Sequence, residues 1–265
     1  MRPVPSTRPH GYITRGTTNP DRLRRMDRWL APRVAGLLRG GRAPLVVDVG
    51  FGASPVTTRQ LRDRLARIRS DVRVVGVEID RRRVAEARAA AVPGRLEFVH
   101  GGFELAGLRP LVVRAANVLR QYDEDEVADA WRRMRRVLAP GGVILEGTCD
   151  EIGRVAAWVL LDERGPLSLT LAARLANLDS PAVIAERLPK ALIHHNVAGE
   201  PIHALVSAVD EEWRSAAPSR VFGPRDRWRR CLDALSAKGW PIREPPARRR
   251  DGTLTVPWDA VRPGS

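Results

Sequence analysis

Between residues 44 and 147 the chain alternates short apolar runs with stretches of helical period. Leu45-Val46-Val47-Asp48-Val49, Val72 to Val77, Leu96-Glu97-Phe98-Val99, Leu111-Val112-Val113 and Val143-Ile144-Leu145 have the length and composition of strands buried on both faces. Helices are predicted between them. Ser54-Pro55 supplies a cap and a first-turn proline ahead of Leu61, Leu65 and Ile68. Arg81 to Ala91 is rich in Ala and Arg and is closed by Pro93-Gly94. Asp123 and Glu126 have capping-box spacing before Val127, Trp131, Met134 and Leu138, and Pro140-Gly141-Gly142 ends that helix. Strands alternating with helices in short units predict a doubly wound, mostly parallel α/β sheet.

The two ends follow other patterns. Residues 1–18 show no periodicity and are predicted as loop. Asn19-Pro20 then marks a helix start. Leu23, Met26, Leu30, Val34 and Leu37 recur on one helical face until Gly40-Gly41 stops it. That amphipathic helix needs a surface to cover, and the sheet is the candidate. Beyond residue 150 the rhythm changes. Val155 to Leu161 and Leu167 to Leu171 flank Asp162-Glu163-Arg164-Gly165-Pro166 as in a hairpin. Residues 181–189, 200–213 and 224–238 look helical, Arg243 to Asp251 reads as loop, and Thr253 to Val256 reads as a final strand. The expected division is an arm and lid helix over residues 1–43, a ligand-binding core over 44–150, and a hairpin plus mostly helical addition over 151–265, on the acceptor side.

Composition adds limits. No apolar stretch approaches the roughly 20 residues of a membrane span, and no apolar block follows the N-terminal arginines, so the expectation is a cytoplasmic protein without membrane contact. Cys149 and Cys231 form no CxxC pair and read as reduced thiols. His10, His100, His194, His195 and His203 lack zinc-ligand spacing, so no metal is expected. The net charge of +14 sits at the ends. Residues 1–44 carry ten Arg against two Asp, residues 214–265 twelve Lys or Arg against five acids, and residues 45–213 balance to within one charge. Basic ends would attract a polyanion such as RNA. Of the 45 basic residues only Lys190 and Lys238 are lysines, so a GC-rich coding bias accounts for the same excess without a ligand.

The chemistry lies in the turns after the strands. The run Val46-Val47-Asp48-Val49-Gly50-Phe51-Gly52-Ala53-Ser54-Pro55 is a buried strand ending in an acid, a Gly-x-Gly turn, and a helix start. Such a turn lets a ligand approach the backbone, and the helix offers free amides. Val74-Val75-Gly76-Val77-Glu78 sets a second acid at the end of the next strand, where it can hold ribose hydroxyls. A nicotinamide dinucleotide site wants a third glycine where Pro55 stands, which disfavours that reading. Taken together the segment resembles the class I S-adenosylmethionine-dependent methyltransferases. Asp48-Val49-Gly50-Phe51-Gly52 resembles their first motif and Gly76-Val77-Glu78-Ile79-Asp80 their second. Val99-His100-Gly101-Gly102-Phe103 resembles the segment flanking the adenine. Asn117-Val118-Leu119 and Arg136-Val137-Leu138-Ala139-Pro140-Gly141-Gly142 resemble their fourth strand end and the approach to the fifth strand.

The resemblance implies a Rossmann-like methyltransferase fold and S-adenosylmethionine as cofactor. It implies that Asp48, Gly50 and Gly52 hold the methionine end, that Glu78 holds the ribose, and that Ile79 and Asn117 line the cofactor site. Many family members carry a glycine where Ser54 stands and an aspartate where Gly102 stands, so the adenine contact falls to the Gly102 backbone and the Phe103 ring. The acceptor-side candidates are Asn117, Tyr122, Glu146 and His195. The acceptor itself is not legible: a small molecule is favoured, with RNA as the alternative and a non-catalytic binding protein on the same fold as a third reading. Asn117 is followed by Val-Leu and not Pro-Pro-Tyr, unlike exocyclic-amine methylases of nucleic acids. Thr148-Cys149 resembles the nucleophile segment of RNA cytosine-5 methyltransferases, but the Pro-Cys that family carries after its fourth strand is missing here.

Overall fold

The computed structural model describes residues 9–40 and 43–264. The loop expected over residues 1–8, and Gly41 of the helix stop, lie outside the described residues. The chain divides into two compact units, one of residues 1–146, 151–153 and 161–165, the other of 147–150, 154–160 and 166–265.

The first unit is the α/β unit. Its strands are β1 (Leu45–Val49), β2 (Arg73–Glu78), β3 (Leu96–His100), β4 (Val112–Ala116) and the start of β5 (Val143–Cys149), in the order β3-β2-β1-β4-β5. β1 pairs in parallel with β2 and with β4, and β2 with β3. Parallel pairing needs crossover connections, and α2 (Val56–Ala66), α3 (Arg81–Ala87) and α4 (Glu124–Arg136) lie in three of them. Valines fill the middle of the sheet, as expected where both faces are covered: Val46, Val47, Val74, Val75, Val112 and Val113 are fully buried. Two capping signals hold, whereas α2 has Pro55 and not Ser54 at its N-cap. Asp80 caps α3, accepting from the Arg82 amide at 2.9 Å, and the Glu126 carboxylate reaches back to the Asp123 amide at 2.9 Å to open α4.

α1 (Arg24–Gly40) begins later than Asn19-Pro20, because Asp21 takes a left-handed conformation (φ 59°) and the chain turns once before the helix. Its buried apolar face is Met26, Trp29, Leu30, Val34 and Leu38, with Leu23 buried in the turn just before it. Leu37, expected on that face, is half-buried, since Leu30, Val34 and Leu38 recur at the four-residue spacing that keeps one stripe inward.

The second unit contains the end of β5 followed by β6 (Val155–Leu161), β7 (Pro166–Ala173) and β8 (Thr253–Pro257), in that order. The connections β5–β6 and β6–β7 are too short for parallel crossovers, so these neighbours run antiparallel. β7 and β8 are antiparallel with Leu169 opposite Val256. The expected hairpin is therefore present, closed by the Asp162 amide donating to the Gly165 carbonyl at 2.9 Å. The helical stretch expected at 181–189 is a 3₁₀ helix over Pro181–Arg187, and α5 (Lys190–Ile193) follows it. α6 (Pro201–Ser215) and α7 (Pro224–Ala237) pack through Trp213 and Trp228, whose rings meet edge-on with centroids 6.2 Å apart. The C-terminal region thus carries three strands of the sheet as well as helices. Among the described residues no helix is long and apolar enough to cross a membrane.

Candidate functional site

The carboxyl ends of β1, β2, β3 and β4 converge along one edge of the first unit, and the Glu78 carboxylate ties the turn after β1 to the loop after β2. Gly50 and Gly52 both have positive φ, 64° and 79°, so the turn after β1 is one that side-chain-bearing residues resist. The Gly50 amide donates to the Val77 carbonyl at 2.7 Å, and the Gly52 amide to Glu78 Oε2 at 2.9 Å. A Cβ on Gly50 would lie 2.5 Å from Val118 Cγ2. Glu78 Oε1 accepts from the amides of Ile79 (2.9 Å) and Asp80 (3.2 Å). The Gly101 amide donates to the Glu78 carbonyl at 3.1 Å, which brings the turn after β3 alongside. Arg83 Nη1 stands 3.9 Å from Glu78 Oε2. Further along, the Gly102 amide donates to Glu104 Oε1 at 2.8 Å, and the Phe103 ring meets the Tyr122 ring edge-on at 5.2 Å. Asn117, just past β4, sits in the left-handed region at φ 62°.

Asp48 lies deeper, at the end of a buried network. β1 and β4 bring Asp48 opposite Arg114 in register. Arg114 has no exposed surface and donates to both Asp48 oxygens, Nε at 2.8 Å and Nη2 at 2.7 Å, and through Nη1 to Asp27 of α1 at 2.6 Å. Thr58 of α2 donates its hydroxyl to Asp48 Oδ2 at 2.7 Å, and Arg64 Nη1 donates to Asp27 Oδ2 at 2.7 Å. Burial works against the Arg114 charge, but Asp27 and Asp48 outweigh it and hold the guanidinium above its ordinary pKa. Burial raises the Asp27 pKa, against the pull of Arg114 and Arg64. Both Asp48 oxygens are therefore engaged within the fold, where the sequence suggested a ligand contact. Arg114 was missed in sequence because it sits just beyond an apolar run. Its signal is a lone arginine in a buried strand, level with a buried acid on the next strand.

A segment read as featureless loop lies along the same edge. Residues 9–18 run without helix or strand past the ends of β1, β2, β3 and β4. The His10 carbonyl accepts from the Phe103 amide at 3.0 Å, and the Gly16 carbonyl from the Ala53 amide at 2.8 Å. The His10 amide donates to Glu104 Oε2 at 2.9 Å. Tyr12 stacks on Tyr122 with centroids 4.0 Å apart, and its amide donates to the Tyr122 hydroxyl at 2.7 Å. The Arg15 amide donates to Gln121 Oε1 at 2.9 Å, Arg83 Nη2 to the Thr14 carbonyl at 2.8 Å, and the Thr18 hydroxyl to the Phe51 carbonyl at 3.0 Å.

The edge thus gathers Gly50, Gly52, Glu78, Ile79, Gly102, Phe103 and Tyr122, with Asn117 at the end of the adjoining strand. Its turn amides, its acid and its aromatic pair match a ligand made of an amino acid, a ribose and a purine in kind and order. Several of those groups are held by residues 9–18. Glu146, on β5, has no exposed surface. Burial pushes its carboxyl up to about 8, with the Trp131 indole drawing it back towards the charged form. Tyr122 is buried, which raises its phenol pKa. His195 belongs to the second unit, its Nδ1 3.9 Å from Glu200 Oε2. Cys149, at the end of β5, is 1% exposed.

Comparison with known proteins follows the same boundaries. Residues 47–145 match the family model described as a methyltransferase domain. No curated protein sequence matches the chain. Among solved structures, the CcbJ methyltransferase from Streptomyces caelestis is 24% identical, aligned over 61% of this chain and 68% of its own, with a TM-score of 0.35. The magnesium protoporphyrin IX methyltransferase from Synechocystis PCC 6803, with bound SAH, is 19% identical over 49% of this chain and 58% of its own, TM-score 0.36. The PH0226 protein from Pyrococcus horikoshii OT3 is 18% identical over 55% and 76%, TM-score 0.38. The chain therefore spans less than two thirds of the length of the second of these. With the motif order and the parallel sheet, the domain match identifies residues 47–145 as a methyltransferase domain, with S-adenosylmethionine as its cofactor.

Proposed function

We propose that the methyl donor lies along the edge described above and that the acceptor is a small molecule. The observation that carries the donor placement is the Glu78 carboxylate, 3% exposed and bonded to the turn after β1 and to the start of the next loop. In this reading Gly50 and Gly52 take the methionine end, Glu78 and Ile79 the ribose, and Gly102 with Phe103 the adenine. When bound, the donor supplies a methyl group on a sulfonium centre. The chain's own residues contribute orientation and exclusion of water, which for such a displacement supply most of the acceleration. Asp48 acts as a positioning residue: tied to Arg114 and Thr58, it fixes the strand from which the glycine turn springs. Asn117 and Tyr122, at the end of β4 and beyond, are the acceptor-side groups. Glu146 has no exposed surface, so we assign it to packing within the sheet and not to contact with the acceptor.

Ion pairing of arginines outside the N-terminal arm favours a small acceptor over RNA. Many arginines are committed to nearby acids: Arg64 to Asp21 and Asp27, Arg73 to Glu97, Arg133 to Asp129, and Arg229 and Arg230 to Asp226. A phosphate backbone is bound by cations that give up counterions, not ones already neutralised by carboxylates. Calorimetry with S-adenosylhomocysteine tests the donor site. Glu78→Ala, in a protein shown to be folded, is expected to weaken binding by about 1–3 kcal/mol; unchanged affinity removes the ribose role. Radiolabelled methyl transfer to a small-molecule panel and to total RNA tests the acceptor, and label appearing in RNA alone overturns the small-molecule reading.

A further inference from the structure

We propose that residues His10–Thr18 form an intrinsic strap that competes with the methyl donor for its cleft, so that the donor binds only when the strap lets go. The inference rests on the donor placement given above.

A lid closes over a ligand and leaves a ligand's thickness beneath it. This segment leaves none. The Gly16 carbonyl bonds the Ala53 amide directly, and a Cβ placed on Gly52 would lie 2.5 Å from that oxygen and 2.6 Å from Thr18 Oγ1. The His10 carbonyl bonds the Phe103 amide, and a Cβ placed on Gly102 would lie 2.0 Å from the same oxygen. Gly52 and Gly102 are two positions assigned to the donor, and here their missing side chains admit the strap backbone. The strap thus occupies both ends of the donor path. Between those ends, Arg83 stands beside Glu78 and holds the Thr14 carbonyl. The Tyr12 ring lies flat on Tyr122, which itself meets Phe103 edge-on, and a Cβ placed on Gly11 would lie 3.4 Å from the Phe103 ring, so the strap crowds the ring proposed for the purine.

The strap is shaped for this route. Gly11 has φ 125°, and a Cβ there would come within 2.6 Å of the Tyr122 hydroxyl. Gly16 has φ 70°, and a Cβ there would meet the Arg83 guanidinium at 2.5 Å. A side chain at either position would lift the segment. Donor and strap claim the same turns after β1 and β3, so the donor's apparent affinity falls by the fraction of time the strap is released.

The test uses the full chain, a form lacking residues 1–18, and Gly11→Ala, which unseats the strap without shortening the chain. Calorimetry with S-adenosylhomocysteine should show binding about 10-fold tighter or more in both altered forms, the gain expected if the strap is docked at least nine-tenths of the time. Trypsin cleavage after Arg15 of the full chain, followed by mass spectrometry, should speed up when S-adenosylhomocysteine is added. Equal affinities in all three proteins, with Arg15 cleaved at the same rate with and without ligand, overturn the strap and leave the donor site standing. Weaker binding in the altered forms overturns it in favour of a lid. Absence of binding in all three removes the donor placement and the strap with it.

Discussion

Arg114→Met isolates the buried network that joins α1, β1, β4 and α2. The wild-type guanidinium bonds two carboxylates that are nearly sealed from water, Asp27 at 1% and Asp48 at 2% exposure. Without it the two acids fare differently. Asp27 keeps Arg64 at 2.7 Å, whose side chain is 18% exposed. Asp48 keeps only the Thr58 hydroxyl among its named partners, so it becomes a buried charge without a counterion. Removing one partner of a buried ion pair costs about 3–5 kcal/mol, and Asp48 should account for most of it. A stranded carboxylate costs most where it must stay charged, so the deficit should be larger at pH 8 than at pH 5. Adding Asp48→Asn removes the stranded charge and should restore about 2–3 kcal/mol, at the upper end of coupling between contacting residues. Urea unfolding of the wild type, both single variants and the double variant at the two pH values gives the cycle. A deficit below about 1 kcal/mol that is flat with pH, or no coupling between the two sites, refutes the assignment of Asp48 to the fold.

Glu146 makes a pH prediction of its own. Burial lifts its carboxyl to about 8 from an ordinary 4.5, so the folded state binds a proton the unfolded state has lost across that window. Its contribution to stability is therefore retained at pH 4 and below and lost progressively as pH rises to 8 and above, on the order of 4–5 kcal/mol in full. Glu146→Gln should flatten that decline, gaining most over the wild type at pH 9 in urea unfolding; parallel pH profiles contradict it. Deleting residues 1–40 removes Asp27 and six buried apolar side chains, Leu23, Met26, Trp29, Leu30, Val34 and Leu38. At roughly 1.5–3 kcal/mol each this matches or exceeds the whole stability of a typical domain. The expected circular dichroism is that of an unfolded chain, and a cooperative thermal transition in the truncated protein shows that α1 is dispensable.

Local pattern determined much of this protein. Apolar runs bounded by Gly, Pro and capping acids located five strands and their helices, because both strand burial and helix capping are written within a few neighbouring residues. The Gly50-Phe51-Gly52 turn and Glu78 were legible for the same reason: a turn needing positive φ and an acid closing a buried strand are features of short segments, and consecutive parallel strands bring such ends to one edge. What the pattern could not supply were contacts between residues far apart in the chain. Asp48 read as a ligand contact until Arg114, 66 positions away, was found opposite it in register. Glu146 read as an available acid until packing took all its surface. Residues 9–18 have no period to read, because an extended strap takes its order from the surface it lies on. Only the folded edge, with Gly52 and Gly102 bare beneath the Gly16 and His10 carbonyls, decides that this segment has a place at all.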